Sequence, residues 1–166
     1  GALLNIGMND ERHAALSERL GEPVATALYL RFVQTYAQHV ARLDPDLFEV
    51  REPSLSALHA ALRDYEAELE EPFPQDPRHQ LAEVLRSMAR AWEGTSARLL
   101  RQAKGAPAEA GLGLVVQAMA GGFGTGASGA GVIQFIDPVT GISQITGRYA
   151  VHGQGRDAVS DNPQAI

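Results

Sequence analysis

At Pro107 the chain changes its hydrophobic period. Before it, apolar residues recur every three or four positions; after it, short apolar runs are separated by glycine-rich turns. A helix turns through about 100° per residue and a strand through about 180°, so the two halves present different faces to a core. Helical segments gathered first and strands gathered last read as an α+β fold rather than an alternating α/β one. The expected organisation is a helical lobe over residues 1–106 with four or five helices, and a small antiparallel β lobe over 107–166 with three or four short strands.

The helical half is well punctuated. Residues 9–20 read as a helix with Asn9 or Asp10 at its start and Gly21 after its end. Val24, Leu28, Phe32, Tyr36, Val40 and Leu43 make one apolar stripe on a long helix over 23–43, closed by Asp44-Pro45. Ser54 caps a third helix with Leu55, Leu58, Leu62, Tyr65 and Leu69 inward and Glu66, Glu68, Glu70 and Glu71 in solvent. In Phe73-Pro74-Gln75-Asp76-Pro77, Asp76 suits an N-cap and Pro77 the first helical position. Leu81, Val84, Leu85, Met88 and Trp92 stripe the fourth helix, with Trp92 expected in the core. Gly94 breaks it and 96–104 resumes it.

Beyond Pro107, Leu112–Met119, Val132–Ile136 and Ile142–Val151 read as strands. The links between them, 121–131 and 137–141, are short, which favours antiparallel pairing because a parallel return needs a longer crossover. The tail from 160 to 166 is expected to be loose, and no internal repeat is present.

Composition removes several function classes. The net charge is −6, so the basic face that nucleic-acid binding requires is not expected. Thirteen of the fourteen basic residues are arginine, leaving Lys104 as the single lysine for any chemistry that needs one. Without cysteine there are no disulfides, thiolate ligands or thiol nucleophiles. No apolar run approaches the ~20 residues of a membrane helix. The start, Gly1-Ala2-Leu3-Leu4, lacks both a methionine and a basic leader; it reads as a processed start, a piece of a longer chain, or a tag scar. With no address to another compartment, a cytoplasmic protein is expected.

Gly124-Thr125-Gly126-Ala127-Ser128-Gly129 matches G-x-G-x-x-G. A dinucleotide fingerprint must open a helix, yet a strand-like run follows, and no acidic residue stands at the right distance. The loop therefore reads as a flexible turn between strands. The five histidines, His13, His39, His59, His79 and His152, have no metal-ligand spacing, and no G-x-S-x-G elbow occurs.

Several stretches in order resemble the N-terminal nucleotide-binding domain of the pyruvate, phosphate dikinase family. They include the segment Leu3–Asp10, Arg31-Phe32-Val33-Gln34, Phe73–Pro77 with Gln80-Leu81, and Arg90-Ala91-Trp92. Val116–Met119, Ser128–Val132, Asp137–Gly141, Gly147-Arg148-Tyr149 and Gln154–Asp157 continue the series. The resemblance implies part of an ATP-grasp domain that uses ATP and Mg²⁺ to phosphorylate a histidine on a separate swivelling domain. It also implies that Gln117, Met119 and Ala120 line the adenine side, and that other domains of a dikinase are partners.

The departures from the family pattern bear on that chemistry. Arg148 stands where the family has a glutamate that resembles a metal ligand, and Arg156 replaces another glutamate. Asp161, ahead of Asn162-Pro163-Gln164, stands near where a phosphate-binding arginine is expected, and Ile136 replaces a further arginine. The glycine-rich region, lysine and arginine that precede this stretch in the family are not in the sequence. Phosphoryl transfer needs carboxylates on the metal and cations on the phosphates. Two unit charges ~4 Å apart interact by about 4 kcal/mol at an effective dielectric of 20, and a divalent ion doubles that. Repulsion of that size where the family has attraction leads to the expectation of a divergent fragment with no catalytic residue or metal ligand of its own. It would bind no nucleotide tightly and act as a scaffold or partner-binding module, with a homodimer covering the sheet. The alternative is the nucleotide-binding part of a working ATP-dependent phosphotransferase, completed by other sequence.

Overall fold

The structure is a computed structural model that describes residues 3–50, 52–107, 109–124, 126–155 and 164–165. The chain divides into two compact units, Gly1–Gln117 and Ala118–Ile166. The first holds α1 (Asp10–Leu20), α2 (Glu22–Tyr36), α3 (Leu55–Leu69), α4 (Pro77–Glu93) and α5 (Thr95–Ala103). The second holds β1 (Gly129–Ile136), β2 (Ser143–Val151) and β3 (Gln164–Ala165). The fold class is the α+β expected from the change of period.

Helix boundaries follow their caps. The Asn9 side chain accepts from Arg12 N at 2.8 Å, so Asn9 rather than Asp10 is the N-cap of α1. Gly21, at φ 90°, donates its N–H to Ser17 O at 3.0 Å, a backbone setting that suits glycine. Ser54 caps α3 through Ala57 N at 3.2 Å, and Asp76 caps α4 through Arg78 N at 3.0 Å, with Pro77 opening the helix. The single helix expected over 23–43 ends earlier. After Tyr36 the chain widens into a π turn over Ala37–Ala41, and Arg42 adopts φ 61°. Leu43 N then donates to Ala37 O at 3.0 Å. The wide turn keeps Ala37 and Val40 buried, while the chain swings into extended Asp44 ahead of Pro45.

The core is built on α2. Ala25, Tyr29, Phe32, Val33 and Tyr36 are buried, as are Leu58, Ala61 and Tyr65 of α3 and Val84 of α4. Phe73, from the α3–α4 linker, sits in the middle of an aromatic cluster. Its ring centroid lies 5.2 Å from Tyr65, 5.3 Å from Tyr36, 5.7 Å from Phe32 and 6.1 Å from Tyr29, each edge to face. This geometry sets positive ring edges against negative ring faces and adds to simple area burial. Trp92 is not part of this core; it is half-buried near the end of α4.

In the second unit β1 and β2 form an antiparallel hairpin, with Gly129 opposite Val151, Val132 opposite Arg148 and Gln134 opposite Thr146. A bulge shifts the register so that Ile136 faces Ser143. Gly129 allows the close approach: a Cβ there would collide with Ala150 O. β3 pairs with β2 through Arg148 opposite Ala165 and Tyr149 opposite Gln164, so the part of the tail described here is strand rather than loose chain.

Leu112–Met119 differs from expectation. It is exposed, irregular chain rather than a strand, and the described sheet runs β1-β2-β3 without it. An apolar run carries the side-chain signature of a strand, but a strand exists only where a neighbour takes up its backbone N–H and C=O groups.

Candidate functional site

The stretches that resemble the dikinase family meet in the helical unit around two glutamines. Gln80 is fully buried, at 0% exposure. Its Nε2 donates to Met8 O at 2.8 Å and Pro74 O at 2.6 Å, and its Oε1 accepts from Gly7 N at 2.8 Å. One side chain thus satisfies three backbone groups of two distant segments. Gln75 completes the lock: its Oε1 accepts from Asp10 N at 2.9 Å, and its Nε2 donates to Tyr29 Oη at 3.0 Å and Phe73 O at 3.2 Å. Asn9 Nδ2 donates to Gln75 O at 2.8 Å, and the Tyr29 hydroxyl donates to Asp10 Oδ1 at 3.0 Å. Burial, the Gln75 donor and the Asp10 carboxylate act together on the Tyr29 phenol, and burial wins, raising its pKa. These hydrogen bonds all join groups of the fold to one another, so the arrangement ties the N-terminal segment to the α3–α4 linker. Sequence reasoning placed both glutamines in resembling stretches but missed the joint they make, because an amide side chain leaves no periodic signal.

In the sheet unit the resembling stretches are turns and strand. Asp137 Oδ1 accepts from Val139 N at 2.7 Å and Thr140 N at 3.0 Å, closing the β1–β2 connection. Those amides, Thr140 first, hold its carboxyl below the usual carboxylate range. The glycine-rich stretch closes on Ser128, whose Oγ accepts from Gly124 N at 2.7 Å and donates to Gly124 O at 3.1 Å. The stretch leads directly into β1, so it does not present the helix N-terminus that a pyrophosphate needs.

Arg148 is exposed on β2. By strand alternation it shares a face with Ala130, Val132, Gln134, Thr146 and Ala150. That face carries a guanidinium and, among these residues, no carboxylate, and such a donor set does not suit Mg²⁺. Ile136 ends β1, exposed. Arg156, Asp157 and Asp161 lie outside the described residues.

Gln117, Met119 and Ala120 fall on the irregular exposed stretch: Gln117 closes the helical unit, and Met119 and Ala120 open the sheet unit. The histidines are dispersed. His13 Nε2 lies 2.9 Å from Thr26 Oγ1, and His79 stands 3.8 Å from Glu83 on α4. Among the described residues no three His, Cys, Asp or Glu side chains gather as a metal site, and no helix is long and apolar enough to cross a membrane.

Among the described residues, a unit of five α-helices tied by the buried Gln80 amide, and a small antiparallel sheet, define the class of this protein. No family model matches the chain. It is 33% identical over 186 aligned residues to pyruvate, phosphate dikinase of Rhizobium meliloti (strain 1021), covering 99% of this chain and 21% of that protein. Pyruvate, phosphate dikinase of Clostridium symbiosum is 29% identical over the same shares, 99% and 21%. Pyruvate, phosphate dikinase 1, chloroplastic, of Zea mays is 28% identical over 95% of this chain and 19% of its own length. The chain is thus similar to one stretch of pyruvate, phosphate dikinase, and spans about a fifth of the relatives it matches.

Proposed function

We propose that this chain is a divergent part of a dikinase nucleotide-binding domain, of the ATP-grasp kind, that transfers no phosphoryl group by itself and serves as a scaffold or partner-binding module. The supporting observation is Arg148. It is an exposed cation on β2 where the resemblance expects a metal-binding carboxylate, and no acid stands beside it on its described face. Incubation with Mg²⁺-ATP and the histidine-bearing domain of a dikinase tests this. No phosphohistidine above background is expected, and transfer by this chain alone would sink the proposal.

The sheet suggests how partners are engaged. Ile133 and Phe135 share a face of β1, are 58% and 64% exposed, and lie on the same side as Val151 of β2. An apolar sheet face of this kind needs cover, and a second copy supplies it in the proposed homodimer. Sedimentation is expected to show dimers that the double substitution I133S/F135S converts to monomers. The proposed setting is the cytoplasm, alongside other domains of a dikinase.

A second reading has one observation in its favour: the dikinases extend over about five times the length matched here. In that reading Gln117, Met119 and Ala120 serve the adenine side of a working ATP-dependent phosphotransferase, with the phosphate and metal ligands supplied by other sequence. Nucleotide binding that appears only when such sequence is added distinguishes the two.

A further inference from the structure

A cleft of about 410 Å³ opens at the α4–α5 elbow, walled by Trp92, Glu93, Arg98, Arg101, Glu109 and the chain at 110–112. That volume lies within the range of small-ligand sites. The cleft is built rather than incidental. Trp92 Nε1 donates to Ala110 O at 3.1 Å, which pins the segment leaving α5 as one wall. The Arg101 guanidinium stacks over the Trp92 indole, 3.9 Å from the ring centroid, and donates through Nη1 to Trp92 O. Arg101 is therefore held in one orientation before any ligand arrives, which lowers the ordering cost of binding. Arg98 stands one turn earlier on the same face of α5.

The charges in the cleft are not spent on one another. On the outer face of α4, Glu83 gathers His79, Arg86 and Arg90. By contrast, no ion pair joins Arg98 or Arg101 to Glu93 or Glu109 among the described residues. The surroundings decide the sign of the site. Residues 77–109 carry six Arg and Lys side chains against three carboxylates, Glu83, Glu93 and Glu109, inside a chain of net charge −6. Oriented guanidinium groups match phosphate oxygens two at a time.

We propose that this cleft binds a small phosphate ester, its phosphate on Arg98 and Arg101 and a hydroxyl group donating to Glu93. The site lies wholly in the helical unit and does not depend on nucleotide binding by the sheet. Trp92 is the only tryptophan in the sequence, so tryptophan fluorescence, excited selectively over tyrosine, reports this cleft alone. Glycerol 3-phosphate is the probe, with sodium chloride at matched ionic strength and glycine as controls. A saturable fluorescence change with glycerol 3-phosphate and none with chloride or glycine is expected. R98Q, at an exposed position, keeps the far-UV spectrum and weakens the response about tenfold, while E109Q tightens it by relieving repulsion. The proposal is overturned by an absent response, by an equal response to chloride or glycine, by an R98Q titration that matches wild type, or by weakening in E109Q.

Discussion

The two units solve the problem of apolar surface in opposite ways. In the helical unit the large side chains meet one another: Phe73 is 3% exposed among four aromatic rings, and Tyr29, Phe32 and Tyr36 are buried beside it. In the sheet unit they face outward: Phe135 is 64% and Ile145 76% exposed, although the hairpin has a regular ladder up to its bulge. Backbone pairing alone therefore does not make a self-sufficient domain. A two- or three-stranded sheet needs a covered face for independent stability, and the helices carry a complete core whereas the sheet carries an offer of one.

The sharpest way to break that contrast is to remove one ring from each unit. F73A empties the centre of the aromatic cluster and is expected to cost about 3–5 kcal/mol, lowering the helical melting midpoint by roughly 10–20 °C. F135S in dilute monomer is expected to change stability by no more than about 0.5 kcal/mol, as exposed positions do. Circular-dichroism melts of both variants compare them directly, and equal losses would erase the distinction. Next in size is Q80A. It leaves Gly7 N, Met8 O and Pro74 O without their partner, at an expected cost of about 2–3 kcal/mol. Chemical denaturation measures it, and an effect below about 0.5 kcal/mol would refute the amide lock.

Much of this contrast was legible in the sequence, and the failures have physical causes. Ser54, Asp76 and Pro77 announced their helices because capping is a local interaction. The α+β division followed from the change of period at Pro107. The π turn after Tyr36 was not legible, because it answers to burial of Ala37 and Val40 within the finished core. Nor was the unpaired state of Leu112–Met119, since pairing depends on a distant strand. The candidate site was legible only in part. Arg148 could be flagged by resemblance, whereas Gln75 and Gln80 became meaningful only when two distant segments were seen together. Trp92, with an apolar stripe behind it, gave no sign that it faces a cleft.

A smaller effect is expected from alkali. Burial raises the phenol pKa values of Tyr29, Tyr36 and Tyr65, with Tyr65 pushed up to about 12 and the nearby Glu71 and Glu83 adding to burial there. A phenol whose pKa is higher folded than unfolded gives its full stabilisation below the unfolded value of about 10. That stabilisation is lost as pH rises through the folded value. Helical stability is expected to fall between about pH 10 and 12, and Y65F to flatten that slope. A stability profile level across this interval would contradict the assignment. The smallest effect concerns the connection between the units. Limited proteolysis is expected to cut within the exposed, irregular chain at 113–121 and leave the helical unit with its melting midpoint unchanged.

The central claim is that a dikinase-like sheet bearing Arg148 no longer forms a Mg²⁺-nucleotide site by itself. Differential scanning calorimetry of the whole chain, with and without millimolar Mg²⁺-ATP, tests this most directly. Ligand at 100 times its dissociation constant would stabilise a binding-competent fold by about 2.7 kcal/mol, roughly 5–10 °C in midpoint. Superimposable transitions with and without nucleotide are predicted. A Mg²⁺-dependent rise of that size in the sheet's transition would contradict the account and restore the nucleotide site to this chain.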